Sequence, residues 1–211
     1  MLFDFDGTLA DTVGLILATF AAVLPEPVPV DEVRSWIGHP LLPVFENRYP
    51  GRGEEFTARY KAWNAAHHDD LIRPVPGIAA LLTELAACGV GVGVVSSKST
   101  PMVRRGLSVL GLAERSGPVI GLEDCPRHKP DPAPLLLGAR RLGVDPAQCR
   151  YVGDTSVDVE AARAAGMGSI AVTWGAAGRN TLLAAGPDAL VSTVPELADH
   201  LGGSADQAGA R

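Results

Sequence analysis

Two aspartates near the start of the chain constrain its fold more than any other feature. Asp4 and Asp6 lie in a short apolar stretch that also contains Phe3 and Phe5. Because they stand two positions apart, an extended backbone projects both carboxylates to the same side of a strand. Gly7 then allows the chain to turn. Two neighbouring carboxylates repel each other, and burial adds a desolvation cost. The pair therefore predicts a compensating partner: a divalent cation, a shared proton or a basic side chain.

Apolar, strand-like runs alternate with helical patterns over most of the chain. Residues 90–95 form a nearly continuous apolar run, which is typical of a central parallel strand. This alternation predicts an α/β fold, a Rossmann-like parallel sheet with helices on both faces. Acidic and hydroxyl side chains follow directly after the apolar runs. We therefore expect them at the carboxyl ends of the strands, where open α/β sheets bind ligands.

Residues 13–72 depart from this alternation, because they show helical patterns and no strand signal. They predict a small helical cap, inserted after the first strand. The catalytic core would then consist of residues 1–12 and 73–201. The tail, residues 202–211, has almost nothing to bury and is predicted to be disordered.

Composition and charge exclude several classes of function. The net charge of −6 argues against a nucleic-acid-binding surface, which needs a basic patch. We find no signal-peptide pattern and no apolar run of the roughly 18 residues that a bilayer requires. Three widely separated cysteines fit a reducing compartment. We expect a cytoplasmic protein without membrane partners. Because few residues precede Asp4, the sequence leaves open whether the natural start of the chain lies upstream of Met1.

Four short motifs carry polar residues at the predicted strand ends. The first is Asp4-Phe-Asp-Gly-Thr-Leu-Ala-Asp-Thr12 and the second is Val94-Val-Ser-Ser-Lys-Ser99. The third is Arg127-His-Lys-Pro-Asp-Pro132 and the fourth is Val152-Gly-Asp-Thr-Ser-Val-Asp158. Together they resemble the motifs of the haloacid dehalogenase superfamily, most of whose members are Mg²⁺-dependent phosphatases. The resemblance covers nearly the whole chain and is strongest to the phosphoglycolate phosphatase and pyrophosphatase subgroup.

The resemblance implies roles for the acidic residues. Asp4 would be the nucleophile that forms an aspartyl-phosphate, and Asp6 would be the general acid and base. A Mg²⁺ ion would be held by Asp4, by the backbone carbonyl of Asp6, by Asp154 and, directly or through a water, by Asp158. An oxygen shell of this kind suits Mg²⁺, which keeps several waters.

The resemblance also implies phosphate-binding residues. Ser96 stands where the superfamily carries a hydroxyl that binds a phosphoryl oxygen. Ser97 is a weaker candidate for the same role. Lys129 would neutralise the phosphoryl group and reduce its repulsion by Asp4. For Lys98 the sequence leaves open whether the side chain binds phosphate or is only solvated.

Two stretches of the predicted cap contain histidines. Trp36-Ile-Gly-His-Pro-Leu41 resembles the cap loop that enters the active site in related phosphatases. Gly38 and His39 are therefore predicted to contact the substrate. His67-His-Asp-Asp70 is predicted to be the solvated end of a helix.

The predicted function is Mg²⁺-dependent hydrolysis of a small phosphorylated metabolite, a phosphoglycolate-like phosphomonoester. An inorganic pyrophosphatase and a phosphosugar mutase are open alternatives, and the mutase would use the same catalytic residues. Asp6 and Asp154 count against a haloacid dehalogenase, which needs neither. Asp6 also disfavours a phosphonate hydrolase, despite Lys61 in the cap. A non-catalytic protein that merely retains the fold is a further alternative.

Overall fold

The computed structural model describes residues 1–202. Gly202 ends the last helix, and the rest of the tail that was predicted to be disordered lies outside the described residues. Within residues 1–202, every helix is too short or too polar to cross a membrane.

The described part of the chain contains eight β-strands. In chain order they are β1 (Leu2–Phe3), β2 (Ala10–Asp11), β3 (Arg73–Pro74), β4 (Gly93–Val95), β5 (Val119–Ile120), β6 (Arg150–Gly153), β7 (Gly168–Val172) and β8 (Ala189–Val191). Six of them form one sheet in the order β5-β4-β1-β6-β7-β8, and all its neighbouring pairs are parallel. The short first strand is therefore central, with β4 and β6 on either side.

Ten α-helices occur in the same range. They are α1 (Val13–Val23), α2 (Val30–Trp36), α3 (Leu41–Arg48), α4 (Gly53–Leu71), α5 (Ile78–Ala87), α6 (Thr100–Val109), α7 (Ala133–Leu142), α8 (Ser156–Ala164), α9 (Arg179–Ala185) and α10 (Val194–Gly202). Short 3₁₀ turns lie at Ala113–Arg115, Leu122–Asp124 and Pro146–Gln148.

Helices cover both faces of the six-stranded sheet. Successive side chains of a strand point to opposite faces, so the two residues of β1 enter different cores. Phe3 packs in the cluster that contains Leu82 of α5, and Leu2 packs in the cluster that contains Leu135 of α7 and Ala161 of α8. The predicted α/β fold is confirmed.

Helices α1 to α4 form a helical segment with a core of its own. Phe20, Phe45, Phe56 and Tyr60 are its central buried rings. The segment leaves and rejoins the sheet through the antiparallel pair β2–β3. Strands of two residues show no periodicity, so no sequence pattern predicts this pair. The division into a core and a cap at residues 12/13 and 72/73 stays a prediction.

The prediction of a solvated helix end at residues 67–70 is wrong for His68. Its side chain is 0% exposed, and its Nδ1 lies 2.8 Å from Asp69 Oδ1. Asp69 in turn pairs with Arg105 of α6 at 2.9 Å. Because α4 continues to Leu71, its last turns pack against α6 instead of ending in solvent.

The core of the helical segment should depend strongly on Phe45. This side chain is fully buried, with ring centroids 5.5 Å from Phe20 and 5.8 Å from Phe56. We expect Phe45→Ala to lower the free energy of unfolding by about 3–5 kcal/mol, measured by urea denaturation. Leu183→Ala is the control, because that side chain is exposed, and it should cost about 1 kcal/mol or less. Equal stability of the two variants would contradict this packing.

Candidate active site

Three of the predicted site residues follow three adjacent strands. Asp4 follows β1, Ser96 follows β4 and Asp154 follows β6. The Asp4 N–H donates to Val152 O at 2.8 Å, so the backbone at Asp4 continues the ladder between β1 and β6. All three side chains are buried. Since parallel strands end at the same edge, this topology brings the three side chains to one place.

Asp154 is held by close backbone approaches. The Ala176 N–H donates to its Oδ2 at 2.6 Å, and the Thr8 hydroxyl donates to its Oδ1 at 3.2 Å. Gly7 has a φ of +70°, and a Cβ there would collide with the Asp154 carboxylate. A Cβ on Gly175 would collide with it too. Glycine is required at both positions so that the chain can wrap around this carboxylate.

Lys129 connects the buried acids. Its Nζ donates to Asp4 Oδ2 at 2.9 Å, to Asp158 Oδ1 at 2.6 Å and to the Tyr151 hydroxyl at 2.9 Å. The Tyr151 hydroxyl donates to the carbonyl of Val95 at 2.7 Å. Burial alone would lower the pKa of Lys129, but the charges of Asp158 and Asp4 raise it well above its usual value. Lys129 is therefore a fixed cation in this site.

Asp158 has two structural partners. Its Oδ2 accepts hydrogen bonds from the Thr155 N–H at 3.0 Å and the Thr155 hydroxyl at 2.7 Å, an arrangement that caps α8. Its Oδ1 accepts the hydrogen bond from Lys129. This carboxylate therefore orients the lysine and begins the helix, and its predicted role as a metal ligand stays a prediction.

Three buried carboxyl groups share one lysine, so ionising all three is costly without a further cation. Asp4, Asp154 and Asp158 each offer an oxygen within 4.8 Å of the others. Burial raises the pKa of Asp4 to about 7, although the charge of Lys129 lowers it. Burial, followed by the charges of Asp158 and Asp4, raises the pKa of Asp154 well above its usual value. Such carboxylates favour a bound divalent cation, and their hard oxygen atoms fit Mg²⁺.

Asp6 forms an ion pair with Lys98, the lysine whose role the sequence left open. Its Oδ1 lies 2.9 Å from Lys98 Nζ, and the two side chains are only 17% and 12% exposed. Lys98 is therefore not a merely solvated side chain. Both residues line one cavity together with Asp4. The residues around Lys98 give no sign that it pairs with Asp6, so only the folded chain identifies this pair.

The loop between α2 and α3 lies against the core at this edge. The Ser97 hydroxyl donates to the carbonyl of Gly38 at 2.8 Å. Gly38 has a φ of +93°, and a Cβ there would lie 3.0 Å from Thr155 Oγ1. In this structure Ser97 thus holds the loop, and its predicted contact with phosphate stays a prediction.

A cavity of about 810 Å³ separates the helical segment from the strand ends. The predicted site residues that line it are Asp4, Asp6, Gly38, His39, Ser96 and Ser97. The other predicted residues, Lys129, Asp154 and Asp158, are buried beside Asp4. All nine predicted residues therefore meet at one edge of the sheet. Sequence reasoning missed Tyr151 and Thr155, whose contacts exist only after β6 and α8 have formed.

Residues 1–172 match the family model of the haloacid dehalogenase-like hydrolases. The chain belongs to this family. Its membership accounts for the acids at the strand ends and confirms the resemblance seen in the four motifs.

Individual members of the family resemble the chain over nearly its full length. A pyrophosphatase PpaX from Bacillus velezensis is 34% identical over 201 residues, which cover 93% of each chain. The structure of a haloacid dehalogenase-like hydrolase from Bacteroides fragilis has a TM-score of 0.87 at 30% identity, covering 93% of this chain and 97% of that one. A predicted phosphatase from Clostridium acetobutylicum has a TM-score of 0.85 at 25% identity, covering 95% and 96%. These matches confirm the predicted enzyme class, a phosphatase-type hydrolase.

The acidic cluster of this haloacid dehalogenase-like hydrolase should bind Mg²⁺. We expect Mg²⁺ at a hundredfold excess over its Kd to raise the melting temperature by roughly 5–10 °C in calorimetry. Asp154→Asn should lose this shift. Its metal-free melting temperature should stay at or above that of the natural chain, because burial disfavours the Asp154 charge.

Asp70→Asn is the matched control, since Asp70 is exposed and is not a member of the acidic cluster. It should retain the full Mg²⁺ shift. An undiminished shift in Asp154→Asn would remove that residue from the metal site.

Proposed function

We propose that the protein is a Mg²⁺-dependent phosphatase that hydrolyses a small phosphorylated metabolite through an aspartyl-phosphate on Asp4. One observation carries this proposal. The Asp4 carboxylate forms part of the cavity wall, while Lys129 contacts it from the buried side at 2.9 Å and Asp6 lines the same cavity. A nucleophile, a fixed cation and a second carboxylate around one space suit phosphoryl transfer.

In the first step an Asp4 oxygen attacks phosphorus. A bond forms between this oxygen and the phosphorus atom, and the bond from phosphorus to the leaving oxygen breaks. Asp6 gives a proton to the leaving oxygen, so the product leaves as an alcohol. Lys129 keeps Asp4 oriented and offsets part of the negative charge that gathers there.

In the second step water attacks the phosphorus atom of the aspartyl-phosphate. Asp6 takes the proton from this water, and the bond between phosphorus and Asp4 breaks. Inorganic phosphate leaves, and both carboxylates return to their starting states. Ser96 is buried at the cavity wall, where its hydroxyl can donate to a phosphoryl oxygen.

Asp4, Asp154, the backbone carbonyl of Asp6 and, directly or through water, Asp158 would hold the Mg²⁺ ion. When bound, the ion supplies positive charge that offsets the phosphoryl oxygens and the carboxylates. The support for this assignment is the cluster of three buried carboxyl groups, in which the pKa of Asp154 is raised by burial and by its acidic neighbours, so that a bound cation would favour ionisation.

We propose that the helical segment acts as a cap over the reaction. The Gly38 carbonyl of its loop accepts a hydrogen bond from Ser97, Gly38 lies close to Thr155, and the neighbouring His39 lines the cavity. A cover of this kind excludes bulk water and contacts the part of the substrate that does not react.

Pyrophosphate hydrolysis is the second candidate. It is favoured by the similarity to the pyrophosphatase PpaX of Bacillus velezensis over 93% of both chains. The same two steps would apply, with phosphate as the leaving group. Phosphate release from pyrophosphate and from phosphomonoesters, measured side by side, distinguishes the two activities.

We propose a cytoplasmic location. All three cysteines, Cys88, Cys125 and Cys149, are free thiols, and Cys88 is exposed. Free cysteines of this kind suit a reducing compartment.

Asp4→Asn should abolish phosphate release, because an amide oxygen is a poor nucleophile. We expect a loss of at least about 10³-fold in kcat, while circular dichroism stays unchanged. Chelation with EDTA should likewise stop turnover of the natural chain, and added Mg²⁺ should restore it. Near-normal turnover by Asp4→Asn would exclude the covalent mechanism.

Lys98 should position Asp6 for proton transfer. We expect Lys98→Met to lower kcat by about tenfold or more, a part of what general acid–base catalysis contributes. KM should change less than kcat, because the lysine acts through Asp6. Lys98→Arg keeps the positive charge and should recover part of the rate. A Lys98→Met enzyme with unchanged kcat would show that the ion pair is only structural.

A further inference from the structure

One face of α4 forms a wall of the cavity opposite the core. Its side chains recur at intervals of three or four residues, as expected for a single helical face. We call this wall the α4 face, and its residues are Glu54, Thr57, Ala58, Tyr60, Lys61, Asn64 and Ala65. The reaction described above uses none of them. Among its polar groups, Asn64 Nδ2 already donates to Thr19 Oγ1 at 3.0 Å, which leaves Thr57, Tyr60 and Lys61 as the donors to consider.

Thr57 carries an unpaired hydroxyl. Its Oγ1 is buried and has no hydrogen-bond partner among the described residues. In a helix this hydroxyl commonly bonds to the carbonyl four residues earlier, as Thr19 does with Leu15 at 2.7 Å. Leaving it unpaired costs about 1–3 kcal/mol, so its position at a cavity wall needs an explanation. Since Thr57 lines the cavity, a rotation of its side chain would bring this hydroxyl to a hydrogen-bonding ligand.

Lys61 carries an unpaired charge. The described residues place no carboxylate within 4.0 Å of it, whereas Arg52 and Arg59 of the same region both pair with Glu55. Lys61 lies one helical turn beyond Thr57, so both groups face the same space. Tyr60, whose hydroxyl stays protonated because burial and the charge of Asp6 raise its pKa, lines the cavity as well. Three residues that carry hydrogen-bond donors therefore line one cavity.

The rest of the wall is apolar. Ile16, Phe20, Ile37, Leu41, Leu42 and Met102 line the cavity. Its volume of about 810 Å³ lies within the range of ~300–1,000 Å³ that is usual for organic ligands. A second phosphoryl group would leave most of this apolar surface without contacts. The negative charge of Glu54 would also oppose it.

We propose that the α4 face is a specificity site for the leaving group, and that the substrate is a phosphomonoester of a ring-containing polyol. A ring can cover the apolar wall, and its hydroxyl oxygens can accept hydrogen bonds from Thr57, Tyr60 and Lys61. Sugar phosphates and nucleoside monophosphates share this chemistry. The inference rests on the proposed phosphatase activity and narrows its substrate class.

Steady-state kinetics of phosphate release with Mg²⁺ test the proposal. The substrates are pyrophosphate, phosphoglycolate, glucose 6-phosphate and adenosine monophosphate. We expect at least one of the two ring compounds to exceed pyrophosphate and phosphoglycolate by about tenfold or more in kcat/KM. The better ring compound identifies the source of the polyol.

Variants of the α4 face provide the second part of the test. Lys61→Met and Thr57→Val should each raise KM for the better ring compound by about tenfold, with kcat and the turnover of phosphoglycolate within about twofold of the natural chain. Arg59→Met is the matched control, since it removes a positive charge from α4 outside the cavity, and it should change neither constant. The melting temperature of Thr57→Val should not fall, because the substitution removes an unpaired hydroxyl.

The outcomes separate this proposal from the one on which it rests. A preference for pyrophosphate, with kinetics unaffected by Lys61→Met and Thr57→Val, would overturn the specificity site and leave phosphatase activity intact. An effect of Arg59→Met equal to that of Lys61→Met would also overturn it, because long-range charge would then suffice. No phosphate release from any of the four compounds would overturn the phosphatase assignment and this inference with it.

Discussion

The rest of the site depends on the buried contacts of Lys129. One ammonium group contacts Asp4 and Asp158, and a third buried carboxylate, Asp154, lies close to both. Buried charges are stable only when they are paired and hydrogen-bonded, and here one lysine faces three acids. The unbalanced charge makes the cluster costly by itself and receptive to a divalent cation. The same imbalance that disfavours the metal-free fold thus prepares the site for a metal and a phosphoryl group.

The topology explains why this cluster forms at all. Asp4 and Asp154 are 150 residues apart in the chain but follow neighbouring strands, β1 and β6. The short strand β1 lies at the centre of the sheet, so Asp4 has partners on both sides. Gly7 and Gly175 then allow the backbone to approach the Asp154 carboxylate more closely than any side chain would permit. The strand order brings Asp4 and Asp154 to the same edge of the sheet, and the two glycines then allow the backbone to contact the Asp154 carboxylate.

The sequence predicts the parallel sheet and the acids at its strand ends well, because strand periodicity and the motifs at strand ends are local signals. It predicts poorly whatever depends on two distant segments meeting. The pair of Asp6 and Lys98 forms between the ends of β1 and β4, and nothing near Lys98 in the chain distinguishes it from a solvated lysine. The predicted exposure of His68 is wrong for the same reason, since its burial depends on the packing of α4 against α6. The two-residue strands of β2–β3 are too short to show any pattern.

The two halves of the cavity differ in what they can select. On the core side Asp4 and Lys129 are buried and in contact, and in the proposed reaction they would recognise the phosphoryl group that all substrates share. On the other side, Thr57 and Lys61 lack partners within the described chain and are free to discriminate between leaving groups. Buried polar groups that a wrong substrate leaves unpaired are an effective means of rejecting it. Under the proposed mechanism, changes on the α4 face would alter the substrate while the reaction stays the same, so similarity to a named pyrophosphatase supports the enzyme class more firmly than the compound.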